Sequence, residues 1–148
     1  MRLSTKGRYG LRLMMELAKH YGKGPVLLKD IAQNQDISEK YLWQLINLLK
    51  IAKLINSARG SHGGYMLAKD PSEINLNDIV SVLEGKPSLV ECIDNPSICE
   101  RSGRCSARDI WGEVSDKISE LLKSITLKDM LDRQEAKDSG LNIWFIVL

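Results

Sequence analysis

Two short amphipathic segments separated by three residues constrain the fold of this 148-residue chain more than any other feature. The first covers residues 28–34, and the second runs from Ser38 to about Ala52 with leucines repeating at helical spacing. Ser38 is a good N-cap because its hydroxyl can accept a backbone N–H, and residues 35–37 form a tight connection. Two short helices joined by three or four residues indicate a helix-turn-helix.

A glycine-rich hairpin is predicted directly after the second of these helices. Residues 54–58 and 65–68 are β-prone, and the sequence Arg-Gly-Ser-His-Gly-Gly at residues 59–64 joins them. We expect the three glycines of this joining segment to form a tight tip and to let the backbone approach a phosphate closely. A hairpin at this position is a wing, so the pattern predicts a winged helix-turn-helix.

Apolar periodicity predicts further helices on both sides of this unit. One covers residues 8–22 and stops at Gly22, one covers residues 75–83, a long one covers about 106–125, and a short one follows Thr126. The long helix has more apolar surface than a small winged domain would cover, so we interpret it as a dimerisation helix. A helix packed within the core of a single chain is the alternative. The expected fold is mainly α with a small β-hairpin.

We divide the chain into four parts. The winged helix-turn-helix domain is expected over residues 1–85, a cysteine-bearing loop over 86–105, the dimerisation helix and the short following helix over 106–135, and an apolar C-terminal tail over 136–148. The tail ends in a β-prone apolar run, which would be prone to aggregation if it were exposed. We therefore expect it to pack on the body, to pair as an edge strand or to dock into a partner protein.

Three cysteines, Cys92, Cys99 and Cys105, are the only ones in the chain and lie close together in sequence. Pro96 and Gly103 interrupt regular structure there, so we expect neither helix nor strand, and the spacing lets the three sulfurs converge on one point. An odd, clustered set is a poor disulfide framework but a good partial set of ligands for an iron–sulfur cluster or another soft metal. Zinc, unliganded thiols and a metal-free redox switch are the alternatives.

The charge of the chain is unevenly distributed. Residues 1–60 carry eleven Lys and Arg against four Asp and Glu, a net charge of +7, whereas the chain as a whole carries +2, which leaves −5 for the remainder. A basic segment that also contains a helix-turn-helix pattern favours binding to phosphate groups of DNA. No apolar run approaches the length of a membrane span and no signal peptide is visible, so we expect a cytoplasmic protein with reduced thiols.

Several motifs occur together in a fixed order. They are Met1-Arg-Leu-Ser-Thr-Lys-Gly-Arg-Tyr-Gly10, Leu27-Leu-Lys-Asp-Ile-Ala32, Ile37-Ser-Glu-Lys-Tyr-Leu42, Arg59-Gly-Ser-His-Gly-Gly-Tyr65, Glu84-Gly85, the three cysteines and Trp111. In this combination the chain closely resembles the family of winged-helix repressors that includes IscR, NsrR and CymR. The resemblance covers residues 1 to about 135.

The resemblance implies a homodimer that places two winged helix-turn-helix units on a pseudo-palindromic operator in double-stranded DNA. Because CymR-like members lack the three cysteines, their presence favours the IscR-like branch. In that branch they hold an iron–sulfur cluster, here expected as 2Fe–2S rather than 4Fe–4S. The implied function is repression of iron–sulfur cluster biogenesis genes.

Two positions depart from the pattern of the family. Arg108 stands where IscR-like proteins place a histidine ligand, and Arg8 stands where NsrR-like proteins supply an acidic ligand. The fourth ligand therefore stays open among a water, a small thiol and side chains near the cysteines: Asp94, Glu100, Ser106 and Asp109.

Nine residues are predicted to contact DNA. In the second helix of the pair, Gln44 suits adenine and Lys40 suits guanine or phosphate, while the hydroxyls of Ser38 and Tyr41 suit phosphate. We expect Trp43 either to contact thymine methyl groups or the sugar edge, or to belong to the core. The remaining candidates are Arg59 and Gly60 in the wing, with Arg59 entering the minor groove, and the backbone contacts Arg2 and Lys6.

Two alternative functions stay open, both within the same family. A CymR-like regulator of cysteine and sulfur metabolism would use the apolar tail to dock an enzyme, and an NsrR-like sensor would respond to nitric oxide. An enzyme is not expected, because the sequence contains no Ser/His/Asp constellation, phosphate-binding loop or recognisable carboxylate pair.

Overall fold

The computed structural model describes residues 2–140, which form a mainly helical fold with one small β-hairpin, as predicted. The helices are α1 (Thr5–Lys19), α2 (Leu28–Gln35), α3 (Glu39–Ile51), α4 (Leu76–Glu84), α5 (Glu91–Asp94), α6 (Ser106–Ser124) and α7 (Leu127–Asp138). The strands are β1 (Ile55–Ala58) and β2 (Gly64–Leu67). Within this part of the chain, no helix combines the length and the hydropathy needed to cross a bilayer.

Helix α1 begins three residues earlier than its apolar periodicity predicted. Ser4 is the N-cap, and its Oγ accepts hydrogen bonds from the backbone N–H groups of Lys6 (3.1 Å) and Gly7 (3.4 Å). These bonds satisfy two donors that the first turn of a helix leaves without intrahelical partners. Polar and glycine residues fill that first turn, so its apolar pattern gave no sign of the helix.

The helix-turn-helix has the predicted form. Asp36 ends α2 in the left-handed region (φ 52°), and Ile37 buries its side chain in the core at the turn. Ser38 then caps α3 by accepting a hydrogen bond from the Tyr41 N–H (3.2 Å). An aspartate tolerates the left-handed conformation better than most non-glycine residues, which permits this short connection between two helices.

The hairpin is antiparallel, with Ile55 opposite Leu67 at its base. Two backbone hydrogen bonds between Val26 and Tyr65, each 2.8 Å, attach it to the segment before α2. A Cβ on Gly64 would lie 2.4 Å from the Val26 carbonyl oxygen, and a Cβ on Gly63 would lie 2.5 Å from that of Ala58. These two glycines therefore leave no room for a side chain where the hairpin approaches neighbouring carbonyl groups. Their expected approach to phosphate stays a prediction.

One hydrophobic core joins the winged domain to the last helix. Its side chains with essentially no exposure include Leu13, Met14 and Leu17 of α1, Ile31 of α2, Leu42, Leu45, Ile46 and Leu49 of α3, Ile79 of α4 and Leu127 of α7. Thr126 and Asp129 form a capping box that starts α7. Buried Leu127, whose N–H donates to the Ile74 carbonyl at 2.9 Å, attaches this helix to the core beside α1. Helix α7 thus folds back on the half of the chain that contains the helix-turn-helix and the wing.

Helix α6 differs from α1, α3 and α4 because the polar Ser115 is its one buried residue. Its apolar side chains stay accessible, with Ile110 exposed by 53%, Trp111 by 45% and Leu121 by 62%. The alternative in which this helix is packed inside the core of one chain is therefore wrong. A long helix with an uncovered apolar stripe is typical of a helix that packs against another chain.

Two parts of the C-terminal half differ from the sequence-based expectation. Cys92 lies in the one-turn helix α5, whereas we expected neither helix nor strand in the cysteine loop. Helix α7 extends to Asp138, so the expected boundary between residues 135 and 136 falls inside it. The apolar run at residues 141–148 lies outside the described residues.

Close packing of α1 on α4 predicts a large effect of Gly10→Ala. A Cβ at Gly10 would lie 2.1 Å from Leu83 Cδ1, so the substitution should destabilise the fold by about 1–3 kcal/mol through overpacking. Gly112→Ala in α6 is the matched control, because a Cβ there meets no neighbouring atom of residues 2–140 within 4 Å. Urea unfolding of both variants measures the difference, and equal stabilities would contradict the packing described above.

Candidate DNA interface and cysteine segment

Helix α3 buries one face and presents the opposite face to solvent. Leucines on the inner face are buried, whereas Lys40, Trp43 and Gln44 on the outer face are exposed, Trp43 by 54%. Ser38 is also exposed, at the first turn of the same helix. Trp43 is therefore not part of the core. Its indole lies on the same face as the Gln44 amide and the Lys40 ammonium group, so this face offers both apolar contact and hydrogen bonds.

Tyr41 differs from its neighbours because it is half-buried. Its ring meets that of Tyr9 edge-on, with ring centres 5.9 Å apart and planes at 84°. The guanidinium groups of Arg8 and Arg12 lie 5.9 Å and 5.4 Å from the centre of the Tyr9 ring. Tyr41 therefore packs α3 against α1, a role that the sequence did not suggest.

A buried carboxylate fixes the end of α2 just before the turn. Glu16 of α1 is buried and accepts hydrogen bonds from Asn34 Nδ2 (2.8 Å) and Gln35 Nε2 (2.7 Å). Arg12 Nε in turn donates to Gln35 Oε1 at 3.1 Å. This network was not predicted, because nothing in the sequence distinguishes Glu16 from an ordinary surface acid. Its consequence is a fixed orientation of the turn that precedes α3.

The wing places its two predicted DNA-contacting residues in the open. Arg59 directly follows β1, and both Arg59 and Gly60 are exposed. Gly60 adopts a positive φ of 100°, and its carbonyl accepts a hydrogen bond from the Gly63 N–H at 3.0 Å. This turn closes the tip of the hairpin and leaves the Arg59 side chain at its edge.

The basic N-terminal arm lies next to the first turn of α1. Arg2 and Lys6 are both exposed there. Glu84, at the end of α4, accepts hydrogen bonds from Ser4 and Gly7, and the bond from the Ser4 hydroxyl is the main reason that the pKa of Glu84 is lowered. Glu84 is thus a fixed negative charge at the amino end of α1 at neutral pH.

The three cysteines lie at separate points of the segment between α4 and α6. Cys92 is half-buried in α5, Cys99 is exposed, and Cys105 is half-buried as the N-cap of α6; none forms a disulfide. Cys105 Sγ accepts a hydrogen bond from the Arg108 N–H (3.4 Å), and Arg108 Nε donates to the Cys92 carbonyl (2.8 Å). Arg108 thereby connects the beginning of the segment to its end.

The expected convergence of the sulfurs is not present in this arrangement. Among residues 2–140, no group of three or more His, Cys, Asp or Glu side chains is close enough together to hold a metal ion. In the same range, Ser102 Oγ is the one buried side-chain oxygen or nitrogen without a hydrogen-bond partner, and it lies between Cys99 and Cys105. The thiols fit an iron–sulfur cluster by donor type. They fit it by position only after the segment rearranges.

Comparison with known proteins gives a consistent result. The family model described as "Rrf2: Iron-dependent Transcriptional regulator" matches residues 3–133. The chain is 45% identical over 130 residues to the HTH-type transcriptional regulator CymR of Bacillus subtilis, which spans 88% of this chain and 89% of that protein. It is 38% identical over 138 residues to the regulator IscR of Photorhabdus laumondii, spanning 93% of this chain and 84% of that protein.

Solved structures repeat this pairing of two kinds of relative. The structure of B. subtilis CymR, described as the global cysteine regulator, superposes with a TM-score of 0.76 at 44% identity and covers 90% of this chain and 98% of that one. The structure of T. potens IscR superposes with a TM-score of 0.75 at 39% identity and covers 100% of this chain and 97% of that one. The backbone is thus equally similar to both.

Proposed function

The chain belongs to the Rrf2 family of transcriptional regulators, and we propose that it is a homodimeric repressor that senses an iron–sulfur cluster. The cluster would be held by Cys92, Cys99 and Cys105, and the regulated genes would be those of iron–sulfur cluster biogenesis. The observation that carries this proposal is the position of three free thiols in one segment directly between the winged domain and the exposed helix α6.

The exposed face of α3 supports binding in the major groove. Gln44 has the amide geometry that pairs with adenine N6 and N7, and Lys40 suits guanine or phosphate. Trp43 offers an apolar surface to the 5-methyl group of thymine. Arg59 of the wing would enter the minor groove, while phosphate contacts from Arg2, Lys6, Ser38, Tyr41 and the Gly60 backbone would set the position of the protein on DNA.

The apolar stripe of α6 supports assembly with a second copy. Ile110, Trp111 and Leu121 lie along one long helix, and pairing with the same helix of a partner would cover all three. A two-fold dimer would present two α3 helices to DNA. Helix-turn-helix dimers read half-sites about 34–36 Å apart, so we expect an operator with approximate two-fold symmetry.

The cluster would be the sensing group, because its presence depends on iron, sulfide and oxidants. Cys92, Cys99 and Cys105 would bind it as thiolates, and a 2Fe–2S cluster is favoured. Arg108 cannot replace a histidine ligand, because a guanidinium stays protonated and has no free lone pair to donate. What Arg108 contributes is its hydrogen bond to the Cys92 carbonyl, which connects the two ends of the cysteine segment.

A CymR-like regulator of sulfur metabolism is the second candidate. The observation in its favour is the higher sequence identity to CymR than to IscR reported above. In that case residues 141–148 would bind a partner protein, and their deletion would abolish that complex while DNA binding survives. Loss of operator binding on deletion, or retention of the complex, would argue against this candidate.

Cysteine substitutions test the cluster directly. Anaerobic reconstitution with iron and sulfide should give a coloured protein, and Cys→Ser at residue 92, 99 or 105 should abolish the visible absorption and the bound iron. The effect should exceed the roughly 10–100-fold loss of metal affinity that removal of an outer-shell partner causes. Ser97→Ala, in the same segment, is the matched control and should stay coloured. A wild-type protein that remains colourless and takes up no iron would refute the proposal.

Replacing thymine by deoxyuridine tests the role of Trp43 in reading DNA. The operator is first selected from random-sequence DNA, and each thymine is then replaced in turn, which removes one methyl group. If Trp43 covers that methyl, one replacement should weaken binding by about 0.8 kcal/mol, and Trp43→Ala should make the same replacement neutral. Fluorescence anisotropy measures both affinities. An equal penalty in the wild type and in Trp43→Ala would show that the indole does not contact the methyl group.

A further inference from the structure

Glu84 connects the end of α4 to the start of α1, 80 residues away in sequence. A single oxygen, Oε1, accepts all three hydrogen bonds: from the Ser4 N–H at 3.0 Å, from the Ser4 hydroxyl at 2.5 Å and from the Gly7 N–H at 2.9 Å. Two of these donors are backbone groups at the amino end of α1, where a helix has N–H groups without intrahelical partners. Glu84 therefore serves as a second cap of α1, supplied by another helix.

The fit between the two helices leaves no room for other side chains. A Cβ at Gly7 would lie 2.4 Å from Glu84 Oε1, and a Cβ at Gly10 would lie 2.1 Å from Leu83 Cδ1. The last turn of α4 thus presses directly on the backbone of the first two turns of α1. A contact this close transmits a displacement of α4 to α1, because packed interiors have little free volume.

Glu84 lies between the two regions on which the proposed function depends. The next residue, Gly85, ends α4 with a φ of 86°, and the cysteine segment follows it. On the other side, Ser4 and the first turn of α1 are flanked by Arg2 and Lys6, which the proposal assigns to the DNA backbone. The Glu84 carboxylate therefore joins the end of α4, after which the cysteine segment begins, to the basic N-terminal arm.

We propose that Glu84 is a positioning residue that holds Arg2 and Lys6 in place for binding to DNA. It does so from the end of α4, just before the cysteine segment begins. This inference rests on the proposed function, since it concerns how the same protein binds DNA. It predicts a change in DNA affinity opposite to the change expected from charge alone. Removing an acid beside a phosphate-binding arm should tighten DNA binding if charge alone mattered. The positioning role predicts that removal of Glu84 weakens binding.

Three substitutions separate positioning from charge. Glu84→Ala should weaken operator binding about tenfold and should lower the slope of log K against log salt by about 1–2, as expected for losing one or two phosphate contacts. Glu84→Gln keeps an oxygen at the position where all three bonds converge, so its affinity should stay within about threefold of wild type. Glu73→Ala is the charge-matched control, an exposed acid outside the cysteine segment and the proposed DNA contacts, and it should not weaken binding.

A double-mutant cycle and amide exchange complete the test. In a protein that already lacks Arg2 and Lys6, Glu84→Ala should cause no further loss of affinity. Without DNA, Glu84→Ala should accelerate hydrogen exchange of the Gly7 amide, whereas Glu84→Gln should not. Unchanged or tighter operator binding by Glu84→Ala, or an unchanged Gly7 exchange rate, would overturn this inference. If the wild type binds no operator while Gly7 exchange responds as expected, the proposed function fails and the contact itself stands.

Discussion

Burial of one face of α3 is the interaction on which the rest of the structure depends. Leu42, Leu45 and Leu49 are essentially inaccessible, and each buried side chain of this size contributes about 1.5–3 kcal/mol. Because these leucines fix the rotation of α3 about its own axis, Trp43 and Gln44 must face outward. The same core receives α1, α4 and α7, so the exposed face of α3, the basic N-terminal arm and the end of α4 before the cysteine segment are all attached to one packed unit.

The spacing of apolar residues and the presence of helix-capping residues made much of this fold predictable from the sequence. The turn at residues 35–37, the cap at Ser38, the hairpin and the span of α6 follow from local chemistry, and the structure has all of them. The early start of α1 was missed because Ser4, Thr5 and Lys6 carry no apolar signal, and the helix there depends on caps from Ser4 and from distant Glu84. Contacts of this kind depend on tertiary structure, and a single sequence does not reveal them.

The cysteine segment shows the same limit in a different way. Its residue types predict thiols available to a soft metal, but their spacing could not predict that Cys92 joins a helical turn and that Arg108 bridges to its carbonyl. Similarly, the sequence could not predict that Gly63 and Gly64 of the wing lie against the carbonyl groups of Ala58 and Val26. Composition suggested what chemistry these residues could perform, and packing decides where they lie.

We propose that the state of the cysteine segment controls how tightly the two α3 helices of a dimer bind DNA. The affinity of one protein preparation for its selected operator, measured with and without reconstituted iron and sulfide at a single salt concentration, tests this coupling. We expect the two states to differ at least about tenfold, which corresponds to a coupling of about 1.4 kcal/mol. Equal affinities in a preparation shown to contain stoichiometric iron and sulfide would contradict it.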